Sequence, residues 1–511
     1  MKILHPFIYF LIIFDVKMEL LSTLLFLIVF IMILWKYKPL CFPLLPNWLI
    51  LFGFVLKFFV GFIFTYVYIY YYPKNIIPSD AIRFLHDSKE VNQIFYESPK
   101  IYFQILFGLG NDEYLLKHYL NNTYLWDSGS LSLLNDFRNV IRFHSIIQFI
   151  SNGSALIHTL FMCFISFIGI QQIYKSIQPL SLLNPNLVFI SILLIPSMLF
   201  WTSGILKEPF VLLGIGLILR LILFKEPLKN KITPFVISII ILICFKPYVL
   251  ICLFPAFIYF AFNKYVFNYK YIASIVLIFS IIVLGAILMP SKTKHFVNFA
   301  TRKQFNFSNI GRGGLHIKGD TCFYYIPKTE EKNITFSKDK KHLIFKQRSR
   351  VLYYAAKNAH PTRFTYISPS TQNWIVYAND PRANSFFETT PINYSIKQMI
   401  LNIPEAISNA LFRPFLFDEK SKLKIPALIE SFGVSLFIII CVIYRKNLTK
   451  EQLNLIQSIL VFSLFLLLVI GWVTPISGAI FRYRFPVQLS FVLIGLLLIN
   501  PTKFKLTKIQ K

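Results

Sequence analysis

The sequence predicts an all-α polytopic membrane protein with about eleven transmembrane helices and two large extracytoplasmic loop segments. Three observations carry that expectation. Of 511 residues, 56% are hydrophobic and only 15% charged, a balance no single soluble core accommodates. Apolar runs recur at the length that crosses a hydrocarbon layer of ~30 Å. Lys and Arg gather in the short connections between those runs, the bias that fixes orientation.

Taken in order, the first 17 residues, MKILHPFIYFLIIFDVK, look like a leader but lack a small-residue cleavage site and end in Asp15 and Lys17. Met18 opens a cleaner apolar helix, so the start is either an interfacial helix or an artefact of start-site choice. Spans are expected near 20–36, 48–72, 153–173, 186–201, 208–224, 232–245, 248–263, 271–289, 428–444, 455–473 and 486–500. The pair 232–245 and 248–263 alternatively forms one element broken at FKPY. When the spans alternate, KYK (36–38), KEPLKNK (225–231), NKYVFNYK (263–270), RKNLTKEQ (445–452) and the tail KFKLTKIQK (503–511) share one side, which marks the cytoplasm and the C-terminus. The chain then divides into 1–72 (interfacial segment and two spans), 73–152 (first extracytoplasmic loop with amphipathic helices), 153–289 (transmembrane bundle), 290–427 (large basic extracytoplasmic segment) and 428–511 (last spans and basic tail).

Composition narrows the function. Segment 290–427 holds 22 Lys+Arg against 9 Asp+Glu, 22 − 9 = +13, which suits an anionic ligand over the membrane. The formal charge of +29 flanks or interrupts spans and nothing resembles a groove-reading module, so anionic lipid is the expected partner and nucleic acid is not. Of the six cysteines, Cys163, Cys244, Cys252 and Cys441 lie in apolar runs, leaving Cys41 and Cys322, with no disulfide framework or zinc spacing. No P-loop, GxGxxG or HExxH is present. No long repeat or paired interrupted helices mark an inverted-repeat transporter.

Several stretches keep charges where an apolar chain has little use for them. In FWTSGILKEPF, Ser203-Gly204 permits a sharp turn and Pro209 suits the first turn of the next helix. Lys207 and Glu208 beside it read as an interfacial turn with a snorkelling lysine, as a re-entrant turn offering Lys207 to a phosphate while Glu208 orients it or holds a metal, or as an ion-coupling site. In YYPKNIIPSDAIRFLHDSKEV, Ser79 or Asp80 caps a helix, or Asp80 is a carboxylate at a cavity mouth that takes a proton or binds a divalent metal. Arg138 and Arg142 share a helix face that meets lipid headgroups or holds a lipid phosphate, and His144 reads as a packing histidine. Arg413, fixed by Pro414 among aromatics, is either a stacked structural arginine or an oriented anion ligand. Arg482 and Arg484 flank Tyr483 before the last span, where burying them without an anion costs several kcal/mol.

Asp80, the FWTSGILKE turn (Trp201 to Glu208), LFRPF (Leu411 to Phe415) and GAIFRYRFP (Gly478 to Pro486) together resemble the C-type superfamily of polytopic membrane glycosyltransferases that use polyprenyl-phosphate-linked sugars. Their relatives in surface-polysaccharide assembly include the O-antigen polymerases of the Wzy type. The resemblance covers most of the chain as architecture and only short motifs as sequence. It implies transfer of sugar from a polyprenyl-(di)phosphate-linked donor to a glycan or lipid-linked acceptor on the extracytoplasmic face of a bacterial cytoplasmic membrane. By position, Asp80 would deprotonate the acceptor while Lys207, Arg413, Arg482 and Arg484 hold the donor phosphate, with Glu208, Arg138, Arg142 and Tyr483 supporting. Two departures stand out. The family often shows adjacent acids in the first loop, whereas here the nearest to Asp80 are Asp87 and Glu90, which leaves a divalent metal cofactor open. A second full helix also precedes Asp80.

The competing expectation is a flippase or carrier of a lipid-linked saccharide or other anion. Lys57, Arg220 and Lys246 are the few cations within or at the ends of apolar runs, and the acids fall almost all outside, which favours one-sided chemistry. Cysteines introduced within 110–120 and 330–340 are predicted to react with an impermeant maleimide on intact cells. Protection of both would sink this sidedness.

Overall fold

The computed structural model describes residues 4–42, 44–71, 79–110, 112–126, 131–223, 227–319, 323–338, 341–354, 364–380, 382–416, 418 and 424–503. Met1, Cys322 and the basic tail beyond 503 lie outside the described residues. Helix α1 (Leu4–Cys41) runs through Lys17 and Met18 without a break, and α2 (Asn47–Thr65) ends in a π-helical turn at Tyr66–Tyr71. A layer of shorter helices follows: α3 (Asp80–Glu97), α4 (Pro99–Phe107), α5 (Asp112–His118) and α6 (Asp136–Ser151). The central helices are α7 (Ala155–Ile177), α8 (Pro185–Leu193), α9 (Pro196–Trp201), α10 (Glu208–Leu223), α11 (Leu228–Phe245), α12 (Pro247–Tyr265) and α13 (Tyr271–Leu288). After α14 (Pro290–Arg312) come seven strands, then α15 (Ile396–Leu401), α16 (Ile403–Phe412), α17 (Lys424–Ile443), α18 (Lys450–Val473), α19 (Ser477–Tyr483) and α20 (Phe485–Leu498).

Seven described helices are long and apolar enough to cross a membrane, or eight if α19 and α20, bent by 49°, count as one span. Eleven crossings do not follow from the helix lengths. The run 186–201 breaks at Pro196 into helices of 9 and 6 residues, and 208–224 forms a helix of only 16, about 24 Å long and short of the hydrocarbon thickness. The run 232–245 sits in α11, which opens with Lys229 and Lys231 and carries Pro234.

The expectation of an all-α chain is corrected by a seven-stranded antiparallel sheet inside the basic segment: β1 (Gly314–Lys318), β2 (Phe323–Ile326), β3 (Ile334–Phe336), β4 (His342–Phe345), β5 (Ser349–Tyr354), β6 (Phe364–Ile367) and β7 (Trp374–Asp380). The strand order is β3-β4-β7-β1-β2-β5-β6. Runs such as FYYI and HLIF are β-branched and aromatic, the residues that fit a pleated surface. Leu343 and Phe345 alternate inward with partly exposed neighbours, the period of two that a strand imposes.

The main apolar core joins α1, α2, α7, α8, α10, α12, α18 and α20, and a second core under the α3–α6 layer takes in Phe64, Trp201, Ile205 and Leu206. Helices α7 and α10 touch backbone to backbone: a Cβ on Gly169 would lie 2.8 Å from the Leu213 nitrogen, and one on Gly216 would lie 2.7 Å from the Gly169 carbonyl. Small residues allow such approach between membrane helices. Gly169→Val is predicted to destabilise the protein by about 1–3 kcal/mol through overpacking, read as a lowered melting temperature in detergent; an unchanged transition would contradict this packing.

Candidate functional site

Asp80 opens α3. Ser79 is the N-cap, its Oγ accepting from the Ile82 N–H at 3.5 Å and donating to the Tyr68 carbonyl at 2.9 Å, so the Asp80 carboxylate is not consumed as a cap. It receives Arg482 Nη1 at 2.9 Å.

The 202–207 turn is pinned from α2. Lys57 Nζ donates to Thr202 Oγ1 at 2.7 Å and to Ser203 Oγ at 3.2 Å. Gly204 is required because any Cβ there would meet the Phe64 ring at 2.3 Å. The chain then enters α10 with Glu208 in its first turn, where the helix dipole favours an anion. Glu208 is fully buried and takes three charge-assisted bonds: Arg482 Nε to Oε1 at 2.6 Å, Arg482 Nη2 to Oε2 at 3.0 Å, and Lys246 Nζ to Oε1 at 2.7 Å. Lys246 stands at the break between α11 and α12, 4.4 Å from the centroid of the Tyr483 ring.

Lys207 turns the other way. It does not snorkel: its side chain is 5% exposed, ends 2.5 Å from Asp136 Oδ2, and lies over the Phe137 ring. The ion pairs form a connected set of Asp80, Arg482, Glu208 and Lys246 and a separate Lys207–Asp136 pair; Lys207 is coupled to the first set electrostatically through Asp80, and Arg83 also acts electrostatically on Asp80. Exposure grades from 0% at Glu208 to 30% at Asp80 and 35% at Asp136, so the last two are the carboxylates a ligand can reach. The Trp201 ring lies 6.0 Å from the Arg482 guanidinium. Its buried indole N–H has no hydrogen-bond partner among the described residues, which leaves a donor for a ligand.

Burial opposes the charge on Asp80, but Arg482, and behind it Arg83 and Lys207, holds the carboxyl below its ordinary value. Burial brings Lys207 down to about 8, against the pull of Asp136 and Asp80. Among the described residues no three of His, Cys, Asp and Glu gather as a metal-binding group; Asp80 and Glu208 share a guanidinium.

The structure thus brings together Asp80, Lys207, Glu208, Arg482 and Tyr483 and places the other candidates elsewhere. Arg484 is buried and donates from Nη1 to the carbonyls of Leu411 (2.9 Å) and Arg413 (2.7 Å) and from Nη2 to Ser431 Oγ (2.7 Å). Arg413 donates to Asp418 at 2.6 Å and stacks 3.8 Å from the Phe387 centroid. Arg138 and Arg142 are buried against Trp126, Arg142 donating to the Ile105 carbonyl at 2.8 Å and to that of Leu131. His144 packs against a partner, its Nδ1 2.7 Å from that of His158.

In the sequence Lys246 and Lys57 stand out as isolated cations but nothing places either at the site, and nothing singles out Asp136. A lysine before a proline at the junction of two apolar runs, as in FKPY, is the signal that marks Lys246. An aspartate in the first turn of a helix, as in NDFRNVIRF, gives no such signal for Asp136.

Fold and site define a helical membrane protein with a seven-stranded sheet and a charge network at the ends of its apolar helices. Compared with protein-family models, with curated proteins and with solved structures, the chain matches none.

Lys207 gives a pH prediction. Its folded value of about 8 lies below the ordinary 10.5, so within that window the unfolded chain binds the extra proton and stability rises with pH. The melting temperature of the wild type is expected to rise relative to Lys207→Met between those limits, and parallel profiles would contradict a depressed Lys207.

Proposed function

We propose that the chain is a membrane glycosyltransferase or polymerase acting at the extracytoplasmic face on a polyprenyl-(di)phosphate-linked sugar, with a glycan or lipid-linked acceptor. The observation that carries the reading is the convergence, from three separate stretches of sequence, of Asp80, Glu208 and Arg482 in one set of ion pairs with Lys207 electrostatically coupled to it. The buried side of the site pairs Glu208 with Lys246 and Arg482, and its more exposed carboxylates are Asp80 and Asp136.

Asp80 is the base. Held below its ordinary value by Arg482, it stays ionised at neutral pH and accepts the proton of the acceptor hydroxyl as that oxygen forms its bond to the sugar carbon. The bond from the same carbon to the donor phosphate breaks, and the leaving phosphate takes up negative charge. Protonation of Asp80 loosens its hold on Arg482 Nη1 as that charge develops, freeing that edge of the guanidinium for the departing oxygens while Nε and Nη2 stay on Glu208. Lys207, poised at about 8, is the second cation, and the proton on Asp80 leaves to the phosphate or to water. Glu208 keeps Arg482 and Lys246 in place throughout.

One observation favours a second reading, a carrier of a lipid-linked saccharide or other anion. Lys57 lies fully buried near the middle of α2, and among the described residues its amine donates to the Thr202 and Ser203 hydroxyls. Ionisable groups inside spans often mark transport paths.

The test uses purified protein in nanodiscs with a fluorescent polyprenyl-linked sugar and separate binding and turnover assays. Asp80→Asn is predicted to abolish transfer while donor binding stays near wild type. Arg482→Lys, which keeps the charge and loses the fork, should weaken donor binding by about 1.5–3 kcal/mol. Full turnover in Asp80→Asn would remove the base, and translocation of the donor without bond formation would install the carrier reading.

A further inference from the structure

The sheet has one packed face and a second face that is buried at His316 and Leu352 and exposed at Tyr366, Ile375 and Tyr377. Leu315, Ile317, Leu343, Phe345, Val351 and Ile367 form its own core on the first. On the other, the register sets Lys318 opposite both Phe323 and Ile375, Arg350 opposite Tyr366, and Leu352 opposite Phe364. The exposed part of this second face is aromatic. Tyr366 is 56% exposed and Tyr377 is 49% exposed, and the Phe323 and Tyr377 rings lie 4.6 Å apart. Arginines are interleaved with the rings: the Arg350 guanidinium sits 3.9 Å from the Phe364 centroid and that of Arg348 sits 4.6 Å from the Tyr366 centroid.

We propose that this face is a platform for a carboxylate-bearing glycan. A pyranose ring presents C–H groups on its faces and hydroxyls on its rim, and the C–H faces suit the electron-rich face of an exposed aromatic ring. A guanidinium stacked on a ring spends its own face on the contact and keeps its edge of N–H donors for a carboxylate. Residues 314–380 carry 11 Lys+Arg against 5 Asp+Glu, 11 − 5 = +6, which is complementary to an acidic chain. A bilayer is a poorer match. The apolar surface of the neighbouring α15 shows exposed Ile396, Ile400 and Leu401, whereas the sheet face distributes tyrosine hydroxyls and guanidinium groups across its width, each of which would lose water on insertion. The proposal rests on the transferase reading only in naming this glycan as the acceptor.

The test is calorimetric titration of the full chain, in phosphatidylcholine nanodiscs, with an oligogalacturonate and with a neutral maltooligosaccharide of equal length. The oligogalacturonate is expected to bind more tightly and to weaken as salt is raised. Tyr366→Ala and Tyr377→Ala should each weaken it about 3- to 10-fold, Arg350→Gln should reduce the preference for the acidic sugar, and Tyr366→Phe should keep wild-type affinity. Equal binding of both sugars, no binding of either, or full affinity in both alanine variants would overturn the proposal. So would a nitroxide at Tyr377→Cys that is relaxed by lipid-soluble oxygen in preference to a water-soluble reagent, since that places the face on the bilayer. Binding is read without turnover, so a chain that binds the acidic glycan yet transfers no sugar would overturn the transferase reading and leave this one standing.

Discussion

Glu208 is a carboxylate with no access to water, and the surrounding structure is arranged to make that tolerable. An ionised group moved into an apolar interior is destabilising by several kcal/mol unless its charge and lone pairs are matched. The match comes from Arg482, before the last helix, and from Lys246, between α11 and α12. Neither cation can be supplied locally, so three stretches far apart in sequence must meet. That requirement fits the places where the helices are interrupted: α10 begins at Glu208, α11 gives way to α12 at Lys246, and the α19–α20 pair bends just after Arg482. The remaining edge of the same guanidinium reaches Asp80 and so fixes the start of α3.

A second layer supports the first from beneath without adding acids. Lys57 grips the turn before Glu208 through two hydroxyls, and those hydroxyls in turn donate to the carbonyls of Met198 and Leu199. The Cys163 thiol bonds the Ser203 carbonyl at 3.3 Å. The segment between α9 and α10 is thus irregular in backbone yet buried on every side, its hydroxyls and carbonyls satisfied by neighbouring side chains and backbone. Its rigidity is what lets Lys207 and Glu208, adjacent in sequence, point to different partners.

Much of this was legible in the residues, and what was not has physical reasons. Long apolar runs announce helices because few other structures hide twenty such residues, and a charged pair beside Ser203-Gly204 is conspicuous against that background. Two arginines around Tyr483 were equally visible, but their division of labour was not. Arg484 is fully buried and Arg482 nearly so, and only the third dimension shows that Arg482 meets carboxylates while Arg484 meets carbonyl oxygens and the Ser431 hydroxyl. Arg138 and Arg142 show the same ambiguity, since a guanidinium satisfied by backbone looks in sequence like one awaiting a phosphate. The sheet escaped notice because its strands are three to seven residues long and sit among lysines, so a run such as HLIF reads as part of a basic loop.

The bond set of Arg484 has one more implication. It ties the final turn of α16 to Ser431 on α17, two residues along the chain from the guanidinium that spans Asp80 and Glu208. The short stretch Arg482-Tyr483-Arg484 therefore carries two anchors, one on the end of the large basic segment and the other in the ion network. The end of the basic segment and the ion network are thus held by side chains two positions apart on one chain, so neither can be repositioned independently of the other.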